Sequence, residues 1–145
     1  MSNYVSKEIK RFNYLISEID SVYHETSLKF GLSDSSMQIL YTICNNGGSC
    51  LLSDICLLSG ISKQTINSAI HKLEKEGIIY LEVFKGKMKS VHFTDKGRKL
   101  AEDTVVHVIN IENDIFSSWS EEERILYLDL TQRYLLELKK QTQQL

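Results

Sequence analysis

Hydrophobic residues recur at steps of three and four along most of the chain, a pattern that predicts helices. The first run predicts a helix of about six turns that ends near Gly31. Its apolar stripe consists of Val5, Ile9, Phe12, Leu15, Ile16, Ile19, Val22 and Tyr23. A helix this long exceeds what a small core alone needs to cover, so the stripe is a candidate subunit interface.

A second helix is predicted to begin in the polar cluster at residues 33–36. Serine and aspartate side chains favour a helix start because they accept hydrogen bonds from the first free amide groups. The apolar face of this helix contains Met37, Leu40, Tyr41 and Cys44. A turn follows it, and residues 50–52 then predict a short strand.

Two closely spaced helices are predicted next, at residues 53–59 and 62–76, with Gly60 between them. Ser62 is the expected N-cap of the second helix of this pair. The first helix is expected to pack inward through Ile55, Leu57 and Leu58. The second is expected to bury Ile66, Ala69, Ile70 and Leu73.

β-forming residues favour a hairpin over residues 78–93, with its turn at residues 85–87. Helix, tight turn, helix and hairpin in this order predict a winged helix-turn-helix. That shape places one helix in a DNA groove and the hairpin beside it.

The rest of the chain predicts two more helices. One begins at Thr94 and carries its apolar positions at Leu100, Val105, Val108, Ile109 and Ile115. The other begins after Ser120, which forms a capping-box pattern with Glu123, and its stripe is Ile125, Leu128, Tyr134, Leu135 and Leu138.

The predicted fold class is therefore mainly α (α+β), a winged helix-turn-helix with long N- and C-terminal dimerisation helices. We expect a winged-helix DNA-binding lobe at residues 33–97. The helical dimerisation region is expected at residues 1–32 and 98–145, and lobe and helices together form one intertwined domain.

Charge is distributed unevenly along the sequence. The net charge is −2, yet residues 61–99 contain nine lysines and arginines against four acidic residues. The remainder contains eight basic and fifteen acidic residues. A basic face on an otherwise acidic body is typical of a protein that binds nucleic acid.

The exposed side of the predicted helix at residues 62–76 carries side chains of the kinds that bind base edges and phosphates in DNA. Amide and hydroxyl side chains pair with bases, while lysines hold phosphates. The hairpin tip adds three lysines. The candidate DNA-binding residues are Ser62, Lys63, Gln64, Thr65, Asn67, Ser68, His71, Lys72, Lys85, Lys87 and Lys89.

Other classes of protein find little support. The spacing of Cys44, Cys50 and Cys56 fits no zinc pattern, and we expect buried, reduced thiols with no metal and no cofactor. Without a glycine-rich phosphate loop or a nucleophile beside an evident base, we do not expect an enzyme. No apolar run approaches the roughly 20 residues of a membrane span, and the N-terminus does not resemble a signal peptide, so we expect a cytoplasmic protein.

The chain resembles the MarR family of transcriptional regulators. The ordered segments that carry the resemblance are residues 31–33, 37–40, 52–62, 65–79 and 93–100. The resemblance implies a homodimer with intertwined terminal helices and two winged lobes that read a palindromic operator in double-stranded DNA. It also implies repression that a small-molecule effector can release.

The hairpin departs from the family pattern. The family usually carries aspartate and arginine there, and the arginine enters the minor groove. This chain has only lysines at the corresponding place, so the wing contacts carried over by position fall on Lys85, Lys87 and Lys89. That departure leaves an alternative open, in which a winged-helix protein-interaction module acts as an adaptor or antirepressor without binding DNA.

Overall fold

The computed structural model describes residues 6–145 of the chain. Within that range seven helices and three strands occur, in an order that matches the winged helix-turn-helix prediction. They are α1 (Lys7–Lys29), α2 (Asp34–Asn45), β1 (Ser49–Leu51), α3 (Leu52–Ser59), α4 (Lys63–Lys75), β2 (Ile79–Lys85), β3 (Met88–Phe93), α5 (Asp95–Asp103), α6 (Val105–Ser118) and α7 (Glu121–Thr142). Two compact units divide the chain, one ending at Val106 and the other comprising His107–Leu145.

The helix-turn-helix is formed by α3 and α4 and is supported by α2. Ser62 caps α4 as predicted, with its side chain accepting a hydrogen bond from the Thr65 amide. Gly60 has φ 68, a left-handed conformation that side chains with a Cβ rarely adopt, and this allows the tight turn.

The core of the lobe lies between α2, α3 and α4. The predicted inward face of α4 is fully confirmed, because Ile66, Ala69, Ile70 and Leu73 are all buried. They share the core with Ile39, Leu40 and Ile43 of α2 and with Ile55 of α3.

The prediction that α3 buries three residues is wrong for two of them. Ile55 is buried, but Leu57 is 79% exposed and Leu58 is 57% exposed. Leu57 follows Ile55 by two residues and therefore lies about 200° around the helix, on the opposite face. Leu58 lies in the last turn of this short helix, directly before the chain turns at Gly60.

The sheet has the strand order β1-β3-β2, with both pairings antiparallel. β2 and β3 form the predicted hairpin, which we call the wing, and β1 extends the sheet at the base of β3. On one face Tyr80 stacks on His92, with ring centroids 5.1 Å apart. His92 Nε2 also lies 2.7 Å from Ser90 Oγ and 3.5 Å from Glu82 Oε2.

A junction between α4, β2 and α5 fixes where the wing begins. The Thr94 hydroxyl donates to the carbonyl oxygen of Gly77 at 2.6 Å, and the Thr94 amide donates to Ile78 O at 3.1 Å. Thr94 also caps α5, because its Oγ1 accepts from the Gly97 amide. Lys96 Nζ donates to Glu76 O at 2.9 Å.

The single helix expected after Thr94 is in fact two helices. Thr104 interrupts it with φ −128 and ψ −88, so α5 ends at Asp103 and α6 begins at Val105. The Thr104 hydroxyl donates to Leu100 O at 2.6 Å. Such a bond from threonine to the preceding turn competes with regular helical bonding and often bends helices.

The second unit contains the predicted capping box. The Ser120 side chain accepts from the Glu123 amide, and the Glu123 carboxylate accepts from the Ser120 amide. These bonds to Ser120 lower the pKa of Glu123. Arg124 donates to the Trp119 carbonyl oxygen at 2.6 Å, and the rings of Phe116, Trp119 and Tyr127 pack together.

The first helix is anchored near its C-terminal end. Ser27 is its buried residue, and the Ser27 hydroxyl lies 3.0 Å from Met37 Sδ of α2. His24 Nδ1 lies 2.8 Å from a carboxylate oxygen of Asp34, and this contact lowers the pKa of Asp34. The predicted stripe of α1 is exposed from Ile9 to Tyr23, while its first member, Val5, lies outside the described residues.

The three cysteines are free thiols of intermediate exposure rather than fully buried ones. Burial still raises the pKa of Cys44, and it raises the pKa of Cys50 to about 11. Across residues 6–145 there is no helix long and apolar enough to span a membrane.

Replacing Gly97 by alanine should destabilise the protein by roughly 1–3 kcal/mol, as overpacking does in close-packed interiors. A Cβ at this position would overlap the carbonyl oxygen of Ile78. In an open helix the same change is stabilising, because alanine is the better helix former. Urea unfolding measures the difference.

The matched control is Lys99→Ala on the exposed side of the same helix, which should stay within about 0.5 kcal/mol of the parent protein. Equal stabilities for the Gly97 and Lys99 variants would contradict the close contact.

Candidate nucleic-acid interface

The outward face of α4 is polar and exposed over its whole length. Its first acidic residue is Glu74, in the last turn of the helix. The side chains before it that face away from the core are, as predicted, Lys63, Gln64, Thr65, Asn67, Ser68, His71 and Lys72. This surface therefore offers donors, acceptors and positive charge without a carboxylate among them.

Ser62 and Thr65 are engaged with each other at the start of α4. Ser62 Oγ accepts from the Thr65 amide at 3.3 Å and donates to Thr65 Oγ1 at 2.9 Å. The Ser62 hydroxyl is therefore used to cap the helix, while the proton of the Thr65 hydroxyl remains available to an outside acceptor. The free amides of this first turn add partial positive charge, which favours an anion.

A groove between α4 and the wing brings candidate residues from distant parts of the sequence together. It encloses about 440 Å³. Lys63 and Asn67 line it from α4, and Lys87 and Lys89 line it from the wing. A second cavity of about 510 Å³ shares Asn67 and Lys89 and includes His71.

Not every predicted residue lines this groove. Lys85 pairs with Met88 across the hairpin and lies outside both cavities. The remaining α4 candidates, Gln64, Thr65, Ser68 and Lys72, are exposed but do not line either cavity. The groove is thus one part of a larger exposed surface.

The lysines that line the groove form no ion pair with a carboxylate among the described residues. In the part of the chain that the structure describes, the ion pairs are His24–Asp34, His92–Glu82 and Arg98–Asp95, and none of them involves a lysine of the groove. Lys63, Lys87 and Lys89 therefore present positive charge to a common space. Two carboxylates, Glu74 and Glu82, line the second cavity instead.

Sequence reasoning missed the residues that form the floor of the groove. Leu52, Ser53 and Cys56 of α3 and Met88 of the wing line it beside the lysines. No spacing rule brings these residues together, because their proximity depends on the packing of α3 beside the wing. Over residues 6–145 no group of three His, Cys, Asp or Glu side chains is placed to hold a metal ion.

The helix-turn-helix, the wing and the basic groove between them define a winged helix-turn-helix protein. A family model described as the MarR family matches residues 30–86, which include α2 to α4 and the whole of β2. The chain has the fold of MarR-family regulators, and the resemblance noted from its sequence is confirmed. This match supports a regulator and not an enzyme. No curated protein matches the chain.

Solved structures share the fold over nearly the whole chain. NMB1585, a MarR family regulator from Neisseria meningitidis, has a TM-score of 0.76 at 18% identity and covers 94% of this chain and 96% of its own. MepR of S. aureus, solved in complex with DNA, has a TM-score of 0.67 at 20% identity, with coverages of 93% and 99%. NadR in complex with 4-hydroxyphenylacetate has a TM-score of 0.70 at 18% identity, with coverages of 92% and 95%.

Replacing Ser62 by alanine should lower the free energy of unfolding by about 1 kcal/mol, because α4 loses its N-cap. Ser62→Asp should restore most of that stability, since aspartate caps as well as serine. Denaturant unfolding measures both. Gln64→Ala, an exposed position in the same turn, is the control and should change stability by less than about 0.5 kcal/mol. A Ser62→Ala variant as stable as that control would rule out the capping role.

Proposed function

We propose that the protein is a dimeric, sequence-specific DNA-binding transcriptional regulator that represses from a palindromic operator. The observation that carries this proposal is the outer face of α4 from Lys63 to Lys72, which contains no acidic residue, together with the lysine-lined groove between α4 and the wing. Such a surface fits double-stranded DNA, whose phosphates attract the lysines and whose base edges can form hydrogen bonds with the amides. Acting on chromosomal DNA, the protein would work in the cytoplasm.

In this proposal α4 enters the major groove. Gln64 and Asn67 carry amides that can pair bidentately with adenine, and each good pair discriminates by roughly 1–3 kcal/mol. Lys63 and Lys72 bind phosphates, and Thr65, Ser68 and His71 add hydrogen bonds to bases or backbone. Ser62 contributes by fixing the start of the helix, where the free amides favour a phosphate.

The wing then follows the flanking backbone. Lys87 and Lys89 line the same groove as Lys63, so one phosphate strand can run between helix and hairpin. Lysine is a strongly hydrated point charge and supplies attraction rather than base readout. We therefore expect the wing to increase affinity in a salt-dependent manner.

Dimerisation is supported by the exposed apolar stripes of the two long helices. Beyond its anchor at Ser27, α1 leaves Ile9, Phe12, Leu15, Ile16 and Ile19 exposed. No residue of α7 is buried, although it carries Ile125, Leu128, Leu135 and Leu138. Apolar stripes of this length mark interaction surfaces. We propose that residues 1–32 and 98–145 cover them in a homodimer, whose two lobes read two half-sites.

Fluorescence anisotropy on duplexes tiled across the DNA upstream of the protein's own gene, at two salt concentrations, tests the regulator. We expect tight binding to one tile with an affinity that falls steeply as salt rises. Because an operator can lie elsewhere, a duplex pool of random sequence is tested in parallel. Absence of salt-dependent binding to both would overturn the proposal.

The alternative is a winged-helix adaptor that binds a protein and no DNA. It is favoured by the lack of arginine in the wing and by the exposed Leu57 and Leu58 of α3. The same anisotropy experiment separates the two functions, because the adaptor predicts no salt-dependent duplex binding at all.

We also propose that a small molecule releases the protein from DNA. The support for this is the relative NadR, which was solved with 4-hydroxyphenylacetate. In this chain a cleft of about 190 Å³ between α1 and α2 is lined by Asp20, His24 and Asp34. Two carboxylates do not favour an anionic ligand there, so a neutral or cationic effector fits this cleft better.

Lys87→Ala should weaken duplex binding and reduce the slope of log affinity against log salt by about 0.9, the change expected for one lost phosphate contact. Lys10→Ala, a lysine of α1 outside the groove, is the matched control and should leave the slope unchanged. Anisotropy titrations over a range of salt concentrations measure both. An unchanged affinity and slope for Lys87→Ala would count against any role of the wing.

Leu135→Lys should convert the dimer to monomers and abolish tight operator binding, because it places a charge in the apolar stripe of α7. Glu137→Lys introduces the same side chain about 200° around the same helix from Leu135 and should leave the dimer intact. Light scattering after size exclusion gives the mass of each. A monomer that still bound the full operator tightly would contradict the proposed assembly.

A further inference from the structure

The wing exposes large apolar side chains among its lysines. Val83 is 71% exposed, Phe84 is 64% exposed and Met88 is 44% exposed. A cluster of exposed apolar side chains at one hairpin tip indicates a surface that contacts another molecule. Lysines alone would suffice for attraction to phosphates, so these residues need a separate explanation.

Phe84 differs from the other two in its position. Val83 lines the second cavity and Met88 lines the groove, so both lie on the side of α4. Phe84 lines neither cavity. It also falls at an irregularity of the ladder, because Val83 pairs with Lys89 and Lys85 pairs with Met88, which leaves Phe84 without a partner on β3. A bulged residue of this kind bends the strand and re-aims its side chain.

The surroundings of Phe84 favour a nucleic acid over an apolar protein. Lys85, Lys87 and Lys89 follow it with no acidic residue among them. The nearest carboxylate before it, Glu82, lies 3.5 Å from His92 Nε2. An aromatic ring next to three cations fits a strand in which negative phosphates border a hydrophobic stack of bases.

We propose that Phe84 is an apolar wedge, which enters the minor groove beside the half-site and partly unstacks one base step. The proposal rests on the DNA-binding function proposed above. The lysines of the tip hold the phosphates on either side, while the ring replaces the arginine that this wing lacks. Proteins that bind the minor groove use phenylalanine and similar residues in this way, and they kink the duplex as they do so.

A wedge also gives the wing a sequence preference that lysines cannot provide. Pyrimidine–purine steps unstack at the lowest cost, so the preferred operators should carry such a step where the wing lies. Specificity of this kind comes from the deformability of the DNA and requires no hydrogen bond to a base.

The experiment uses the duplex that binds most tightly to the full-length protein, selected from the random pool. 2-Aminopurine is placed at successive positions in the segments flanking the half-sites, because its fluorescence rises when it is unstacked. Dyes at the two duplex ends report bending by energy transfer. We expect the parent protein to raise the fluorescence at one flanking position and to shorten the end-to-end distance.

Phe84→Ala should abolish both signals and weaken binding about tenfold, while the salt slope stays as it was. Phe84→Leu should retain part of both signals, since leucine is still an apolar wedge. Val83→Ala is the matched control on the groove side and should keep the fluorescence rise. Because Phe84 is exposed, all three variants should unfold at the same denaturant concentration as the parent.

The outcomes separate the wedge from the function on which it rests. Absence of duplex binding by the parent protein would overturn the regulator and the wedge together. Binding by the parent without a fluorescence rise at any flanking position would overturn the wedge alone. A rise that persists in Phe84→Ala would do the same, because a group other than the ring would then be unstacking the base.

Discussion

The close approach of α5 to the backbone at Ile78 is the constraint on which the candidate DNA-binding surface depends. The helix can lie there only because Gly97 has no side chain to meet the Ile78 carbonyl. Thr94 reinforces the contact from the same helix end, by donating to Gly77 O and Ile78 O. Together they hold the three-residue connection between the end of α4 and the start of β2 against α5. The placement of the wing beside α4, and hence the groove between them, depends on this junction.

The sequence of α4 has to meet two opposing requirements, one on each face of the helix. One face of α4 has to be apolar enough to hold the lobe together, and Ile66, Ile70 and Leu73 meet that requirement. The other face is polar, and Lys63 on it lines the groove with Lys87 and Lys89 of the wing. Lys89 also lines the second cavity, where Glu74 and Glu82 lie. The lining of the groove itself contains no carboxylate, so a bound polyanion would supply the opposite charge there.

Local features of the sequence were sufficient to predict much of this fold. Ser62, Thr94 and Ser120 act as helix caps where the sequence places them, because capping depends on residues three positions apart. The buried face of α4 was likewise predictable from its helical period. The break at Thr104 was not, since an apolar period continues through it, and threonines that make the same hydroxyl bond, Thr42 and Thr131, lie within unbroken helices.

The polar and basic members of the candidate site were predictable, and its arrangement was not. The lysines and amides were identified by type and exposure, but the groove also needs α3 and the wing to lie side by side, which brings Cys56 and Met88 to it. Long-range geometry of this kind is set by side-chain packing between helices and strands. The hydrophobic period of one sequence predicts the individual elements and not how they pack together. The exposure of Leu57 has a local cause, its 200° offset from Ile55, which the helical period could have predicted.

The wing is bonded at its base and open at its tip. At the base, Tyr80 stacks on His92, which also contacts Ser90 and Glu82. From Val83 to Lys89 the side chains are exposed, and the ladder is irregular at Phe84. The lysines and the phenylalanine of the proposed DNA contact therefore all lie in the part of the hairpin that buries no side chain in the core. Substitutions there can change the contact surface at little cost in stability, because exposed side chains make few packing contacts.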